Sequence, residues 1–211
     1  MIDIIQQLNV TTRRVAATSL GGGEAHAVTI TRAYAAAPDD VWDACTTPER
    51  IARWFLPVSG DLRVGGRFQI EGNAGGTIER CDPPKGFSAT WESGDSVGRI
   101  ELRLSAEPDG TTRFELEHTV PVDDHWDQYG PGAVGVGWDL GLNGLVTHLA
   151  TGDSLSQAEG AAWVASDEGR QFITLSGERW YDAHVAGGTD PAEARGAADR
   201  TTAAYTGQPE P

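Results

Sequence analysis

The feature that most constrains this chain is a change of hydrophobic period near residue 134. Before it, apolar residues recur at every second position in successive short segments. Phe68 and Ile70 alternate with Arg67, Gln69 and Glu71, and Phe87, Ala89 and Trp91 share one face. Ile100, Leu102 and Leu104 alternate with Arg99, Glu101 and Arg103. Phe114, Leu116, His118 and Val120 alternate with Arg113, Glu115 and Glu117. A period of two marks strands with one buried and one wet face. The turn signals Asn73-Ala74-Gly75-Gly76, Asp82-Pro83-Pro84-Lys85-Gly86 and Pro108-Asp109-Gly110 join them into an antiparallel meander, with Thr77 to Cys81 as a further strand. From Val134 the period is helical. Val134, Trp138, Leu142, Leu145 and Leu149 fall on one face of a helix over 134–150. A sheet with one apolar face needs a cover, and this helix is the natural one. Its glycines at 135, 137, 141 and 144 cost helix propensity and point to close packing on a curved sheet, or to room for something else.

Upstream, residues 2–17 place Ile2, Ile5, Leu8 and Val15 loosely on one helical face, and Gly21-Gly22-Gly23 ends that helix. Residues 25–35 alternate as a strand. Two short helices follow at 38–45 and 48–54, each with proline at its first position and acids in its first turn. Thr47 is placed to cap the second. Residues 121–133 read as a loop carrying Trp126 and Tyr129. Beyond Gly152, residues 153–168 are polar and small apart from Leu155, Trp163 and Val164. A helix over 169–186 carries Phe172, Ile173, Trp180 and Tyr181, and a last one starts at Asp190-Pro191 with Glu193 at the capping-box position. The chain thus divides into an N-terminal helix and linker (1–23), a central domain (24–152) and a C-terminal helical extension (153–211).

Order and pattern together predict an α+β helix-grip fold: a curved antiparallel sheet wrapped on a long helix, two short helices plugging one end, and extra C-terminal helices. The residues that fix this plan also resemble a known family. They are Asp39-Asp40-Val41-Trp42, Pro48-Glu49-Arg50-Ile51-Ala52-Arg53-Trp54-Phe55, Gly65-Gly66-Arg67-Phe68, Trp91-Glu92, Leu116-Glu117-His118-Thr119 and Gly137-Trp138. In this order they resemble the START-like (SRPBCC) superfamily over residues 25–150. Within it they are most similar to the branch named for activators of the heat-shock-protein ATPase, in its stand-alone bacterial form. The resemblance implies a cavity between sheet and helix that receives a small hydrophobic ligand. Other branches are cyclases, aromatases or hydrolases. The eukaryotic activators carry a further N-terminal domain for which the residues before Ala25 leave no room, so a chaperone partner is not expected.

Composition narrows the partners. The chain has 211 residues, of which 39% are hydrophobic with seven tryptophans, enough for a sizeable core. The formal charge of −15 argues against nucleic acid and anionic membranes, since both need a basic face. No run approaches the ~18–20 apolar residues of a membrane span, and the N-terminus lacks the plan of a secretory signal. Cys45 and Cys81 lie on segments that read as core, so two buried free thiols are expected and a cytoplasmic location with them.

The expected cavity lining is Trp54, Phe68, Trp91, Phe114, His118, Trp126, Tyr129, Trp138 and Leu142. Trp54 and Phe55 either close one end of a cavity or plug the core. His118, inward between Leu116 and Val120, is a ligand donor, a general base or a satisfied core histidine. Arg67 and Glu92 alternate outward and are read as solvated. Asp123-Asp124-His125-Trp126-Asp127 holds potential ligand atoms, but the remaining histidines, at 26, 118, 148 and 184, are too scattered to complete a metal shell. That loop is read as a rim, with Trp126 and Tyr129 as gate residues. No nucleophile elbow, phosphate loop or CxxC pair occurs, and no cofactor or metal is called for. The C-terminal helices are expected to pack on the domain, with a homodimer as the alternative use of Trp163, Trp180 and Tyr181.

Overall fold

The computed structural model describes residues 4–154 and 156–209. Eight strands form one antiparallel sheet in the order β1-β2-β8-β7-β6-β5-β4-β3. They are β1 (Thr12–Leu20), β2 (Gly23–Tyr34), β3 (Val58–Gly60), β4 (Arg67–Ile70), β5 (Gly75–Asp82), β6 (Gly86–Ser93), β7 (Ser96–Ala106) and β8 (Thr112–Pro121). Helix α1 (Ile4–Asn9) precedes them, and α2 (Pro38–Thr46) and α3 (Pro48–Trp54) lie between β2 and β3. After β8 come α4 (Asp124–Tyr129), α5 (Gly132–Thr151), α6 (Gln157–Val164), α7 (Asp167–Ala186) and α8 (Pro191–Thr206). This is the α+β helix-grip fold, and α5 is the gripped helix. No helix among the described residues is long and apolar enough to cross a membrane.

Strand alternation sorts the two faces of the sheet. Phe114, Leu116 and His118 of β8 are buried with Ile100, Leu102 and Leu104 of β7. The opposite face is a ladder of opposite charges. Arg103 bonds Glu115 at 2.8 Å, Arg80 bonds Glu101 at 2.6 Å, and Arg99 bonds Glu79 at 2.7 Å. Cross-strand pairs of this kind suit a wet face. Arg67 and Glu92 extend it as an exposed pair at 2.6 Å.

Several sequence expectations are corrected. Residues 2–17 are not one helix. Only Ile4–Asn9 is helical, and Thr12–Leu20 is the edge strand, paired to β2 with Val15 opposite Val28. Pairing satisfies the backbone and buries Val15, which outweighs a weak helical periodicity. Ile2 lies outside the described residues. Gly21 and Gly22 form the turn of that hairpin, both at positive φ (59° and 87°), where a side chain would be strained. The expected loop at 121–133 contains α4, whose first turn is capped by Asp123 Oδ1 accepting from Trp126 N at 2.9 Å. Residues 153–168 contain α6, opened by a capping box between Ser156 and Glu159; Leu155 lies outside the described residues. Thr47 does not cap α3. Its hydroxyl donates instead to Asp43 at 2.5 Å. Both cysteines are free, but only the Cys45 thiol is buried; Cys81 is exposed, just past a register shift between Ile78 and Arg80.

Helix α5 is buried on two sides, which explains its glycines. Trp138, Leu142 and Leu145 belong to the core under the sheet. On the other side a Cβ at Gly135 would lie 2.2 Å from the Trp180 ring of α7. Gly141 and Gly144 admit Phe55 and the Trp54 carbonyl, where a Cβ would stand 3.2 and 2.5 Å away. The close packing is therefore helix on helix rather than helix on sheet. Asp139 sits within it, 4% exposed. It accepts from Arg13 Nε at 3.0 Å and Nη2 at 2.7 Å, from Ser176 Oγ at 2.6 Å and from Trp180 Nε1 at 2.9 Å. Four donors satisfy the buried carboxylate and join β1, α5 and α7. Helix α8 in turn holds α4 and the start of α5. Arg200 Nε donates to Gln128 O at 2.7 Å, Thr201 Oγ1 to Tyr129 O at 2.8 Å, and Tyr205 OH to Ala133 O at 2.9 Å. Trp180 is 1% exposed, whereas Trp163 and Tyr181 are half-buried, the Trp163 ring packing on Phe172 at 5.6 Å.

Candidate functional site

The site is built around Trp138, nearly two turns into the gripped helix. Trp91 of β6 packs on it with ring centroids 5.3 Å apart, and Phe55, just past α3, stacks on it at 6.0 Å. Phe55 is placed by the end of α3, where Trp54 Nε1 donates to Ala44 O at 2.9 Å and fixes the ring beside it. Phe68 of β4 backs Trp91 at 6.4 Å. Together Phe55, Trp91 and Trp138 form an aromatic wall between two chambers.

The inner chamber has a volume of about 170 Å³ and is apolar, with Phe68, Phe114 and Leu142 among its lining residues. Exposed Leu62 and Cys81 mark its outer end. The Cys45 thiol also lines it, and burial pushes that thiol up to about 12, so it stays protonated at neutral pH. The outer chamber has a volume of about 550 Å³ and mixed chemistry. Val120, Val134 and the aromatic wall supply apolar surface, while His118, Asp123, His125 and Tyr205 supply polar atoms.

His118 is the buried polar group of this arrangement, 3% exposed. Its Nδ1 accepts from Trp138 Nε1 at 3.2 Å. An indole N–H only donates, so Nδ1 must carry the lone pair and Nε2 the hydrogen. Burial alone lowers the His118 pKa to about 4, which keeps the ring neutral at physiological pH. The ring therefore presents a neutral N–H, with no free lone pair to take a proton.

The rim is formed by α4. Trp126 stacks on His26 of β2, with centroids 4.2 Å apart and planes within 6°, and meets His184 of α7 edge-on at 5.6 Å. His184 is lowered to about 4, first by burial and then by the nearby His26. Burial lowers His26 as well, against the opposing effect of Glu24. Trp126 is thus clamped between two rings on different elements. Among the described residues no group of three His, Cys, Asp or Glu side chains stands ready to hold a metal ion.

The structure brings most of the sequence candidates together and separates one. Trp54, Phe68, Phe114 and Leu142 border the inner chamber, His118 and Trp126 the outer one, and Trp91 and Trp138 both. Tyr129 borders neither. It faces a void of about 10 Å³ against α7 and α8, because the helical turn of α4 points it away from Trp126. Asp123 belongs to the loop read as a rim, but sequence reasoning did not place Gly98 or Tyr205 on the site. Gly98 stands in β7 opposite Trp91, and its missing side chain was a readable signal within an otherwise regular strand. Tyr205 reaches the chamber from α8, and nothing local to it announced that.

The family model for activator of Hsp90 ATPase homolog 1-like proteins matches residues 35–150. The crystal structure of CalU16 from Micromonospora echinospora is 36% identical, with a TM-score of 0.67, and the match covers 82% of this chain and 97% of that one. The solution structure of CalU16 gives 34% identity, a TM-score of 0.72, and coverage of 84% and 96%. MLL2253 from Mesorhizobium loti shares the fold at 23% identity and a TM-score of 0.54, over 60% of this chain and 98% of that one. No match is found among curated proteins. The CalU16 matches cover more of this chain than residues 24–152 contain, so some elements outside that span have counterparts there.

Proposed function

Because the chain belongs to the family of activator of Hsp90 ATPase homolog 1-like proteins, within the START-like superfamily, we propose that it binds a small apolar molecule between its sheet and its long helix. The observation that carries this reading is the aromatic wall of Phe55, Trp91 and Trp138 with space on both sides. A wall that only plugged a core would be packed against other side chains on each face. The outer chamber, at about 550 Å³, falls within the ~300–1,000 Å³ of small-molecule sites. The inner one, at about 170 Å³, suits a ring or a short chain extending from it. Binding without reaction is favoured by His118. A general base needs an available lone pair, and its Nδ1 lone pair is engaged by Trp138.

A panel of small aromatic, polycyclic and isoprenoid molecules tests the proposal by thermal shift and native mass spectrometry. A ligand at about 100 times its Kd stabilises by roughly 2.7 kcal/mol, a rise of about 5–11 °C in melting temperature for a chain of this size. The expected result is a one-to-one adduct with such a rise, weakened in Val134→Trp, which fills the outer chamber. Absence of any adduct across the panel sinks the reading.

A further inference from the structure

We infer that the ligand of this cavity carries a neutral hydrogen-bond-accepting oxygen on a flat apolar body, the oxygen received by His118 Nε2 and the body laid on the Trp91–Trp138 wall. The inference rests on the binding function proposed above and names the chemical class it takes. Three observations converge on it.

The first is a donor held ready. Trp138 Nε1 bonds Nδ1 at 3.2 Å, so the hydrogen of the His118 ring is on Nε2. The only hydrogen bond of His118 among the described residues runs through Nδ1, and the residue borders the outer chamber, so an acceptor placed in that chamber can take the Nε2 hydrogen. The second is space at that atom. Gly98 lies beside the ring, and a Cβ there would stand 3.1 Å from Nε2, so any other residue would crowd the approach. Gly98 and His118 both border the outer chamber. The third is charge. Among the described residues Asp123 lines this chamber and no lysine or arginine does, so an anionic ligand meets repulsion and no permanent cation. The His118 N–H is uncharged and suits a ketone, ester or ether oxygen rather than a carboxylate. The aromatic surfaces next to it, with Trp91 5.6 Å from the His118 ring, favour a planar body.

Three probes that differ at one group test this: 2-acetylnaphthalene, 2-ethylnaphthalene and 2-naphthoate, titrated against the full chain by calorimetry. The ketone is expected to bind about three- to tenfold more tightly than the hydrocarbon, the range of one neutral buried hydrogen bond. The carboxylate is expected to bind more weakly than either. In the infrared, the carbonyl stretch of the bound ketone is expected at lower wavenumber than in hydrocarbon solvent. In His118→Phe the ketone loses its advantage and its stretch returns to the hydrocarbon value. The infrared measurement on the unaltered protein stands even where that variant folds poorly. Equal binding of ketone and hydrocarbon, an unshifted carbonyl or a preference for the carboxylate overturns the inference and leaves cavity binding intact. No binding by any of the three removes both.

Discussion

Trp138 Nε1 lies 3.2 Å from His118 Nδ1, and this contact decides what the histidine can do. The sequence placed His118 on the inward face of its strand by alternation alone. It left open a donor, a base and a satisfied core residue, because the partner is supplied by a helix twenty residues away. The same burial makes a measurable prediction. In the unfolded chain the imidazole titrates near 6.5, and in the fold near 4. Below 6.5 the unfolded state takes up a proton that the folded state refuses. Stability is therefore full above 6.5 and falls as the pH drops towards 4. Between pH 7 and pH 5 His118 accounts for a loss of about 2 kcal/mol, with His184 acting in the same direction. Urea denaturation of the wild type and of His118→Phe checks this, and the variant is expected to lose less stability over that interval. Asp139 makes a second prediction. Asp139→Ala strands the Arg13 guanidinium in a site 3% exposed, at a cost of about 3–5 kcal/mol. The double replacement Arg13→Met with Asp139→Leu is expected to recover much of that loss in the same denaturation assay. The sequence showed Arg13 and Asp139 as two unrelated charges, since 126 positions separate them.

Among the elements, those with a clean period were readable and those made by tertiary pairing were not. Strands β4 to β8, helices α2 and α3, and the apolar face of α5 follow from periodicity, first-turn prolines and acids, and turn residues. Strand β1 was hidden because Ile5, Leu8 and Val15 happen to fall near one helical face, and only its partner β2 makes it a strand. Strand β3 has three residues, too few to show a period. Helix α4 carried its signal in Asp123, three residues before Trp126, and was hidden among acids that read as a loop. The glycines of α5 mark where other helices approach, which gives a direct prediction. Gly135→Ala places a methyl group into the Trp180 ring and is expected to cost at least 1–3 kcal/mol by urea denaturation. Helix α8 holds the rim of the outer chamber through the carbonyls of α4 and α5. Thr201→Val leaves the Tyr129 carbonyl without that donor. It is expected to speed hydrogen exchange at the amides of α4 while leaving β7 and β8 protected. Unchanged exchange in α4 would mean that α8 does not hold the rim.

At the scale of the whole molecule, the helix-grip plan followed from element order, because a sheet with one apolar face and one long helix has few ways to close. The site did not follow. A chamber is the difference between the room a backbone leaves and the volume its side chains fill, and patterning reports only which side chains point inward. Phe68, Trp91, Phe114 and Trp138 were identified as inward residues, yet the division into two chambers depends on how three rings stack. The polar end depends on Asp123 and Tyr205, which arrive from α4 and α8. The sheet carries its ladder of ion pairs on the outer face, and among the described residues neither chamber is lined by a lysine or arginine. The most direct test of binding between sheet and helix is a crystal of the protein grown with 6-bromo-2-acetylnaphthalene, read by the anomalous signal of bromine. The expected result is one peak inside the chambers, beside the wall of Phe55, Trp91 and Trp138, with the ketone oxygen within hydrogen-bond distance of His118 Nε2. A peak confined to the charged outer face of the sheet, or no peak at saturating ligand, would contradict it.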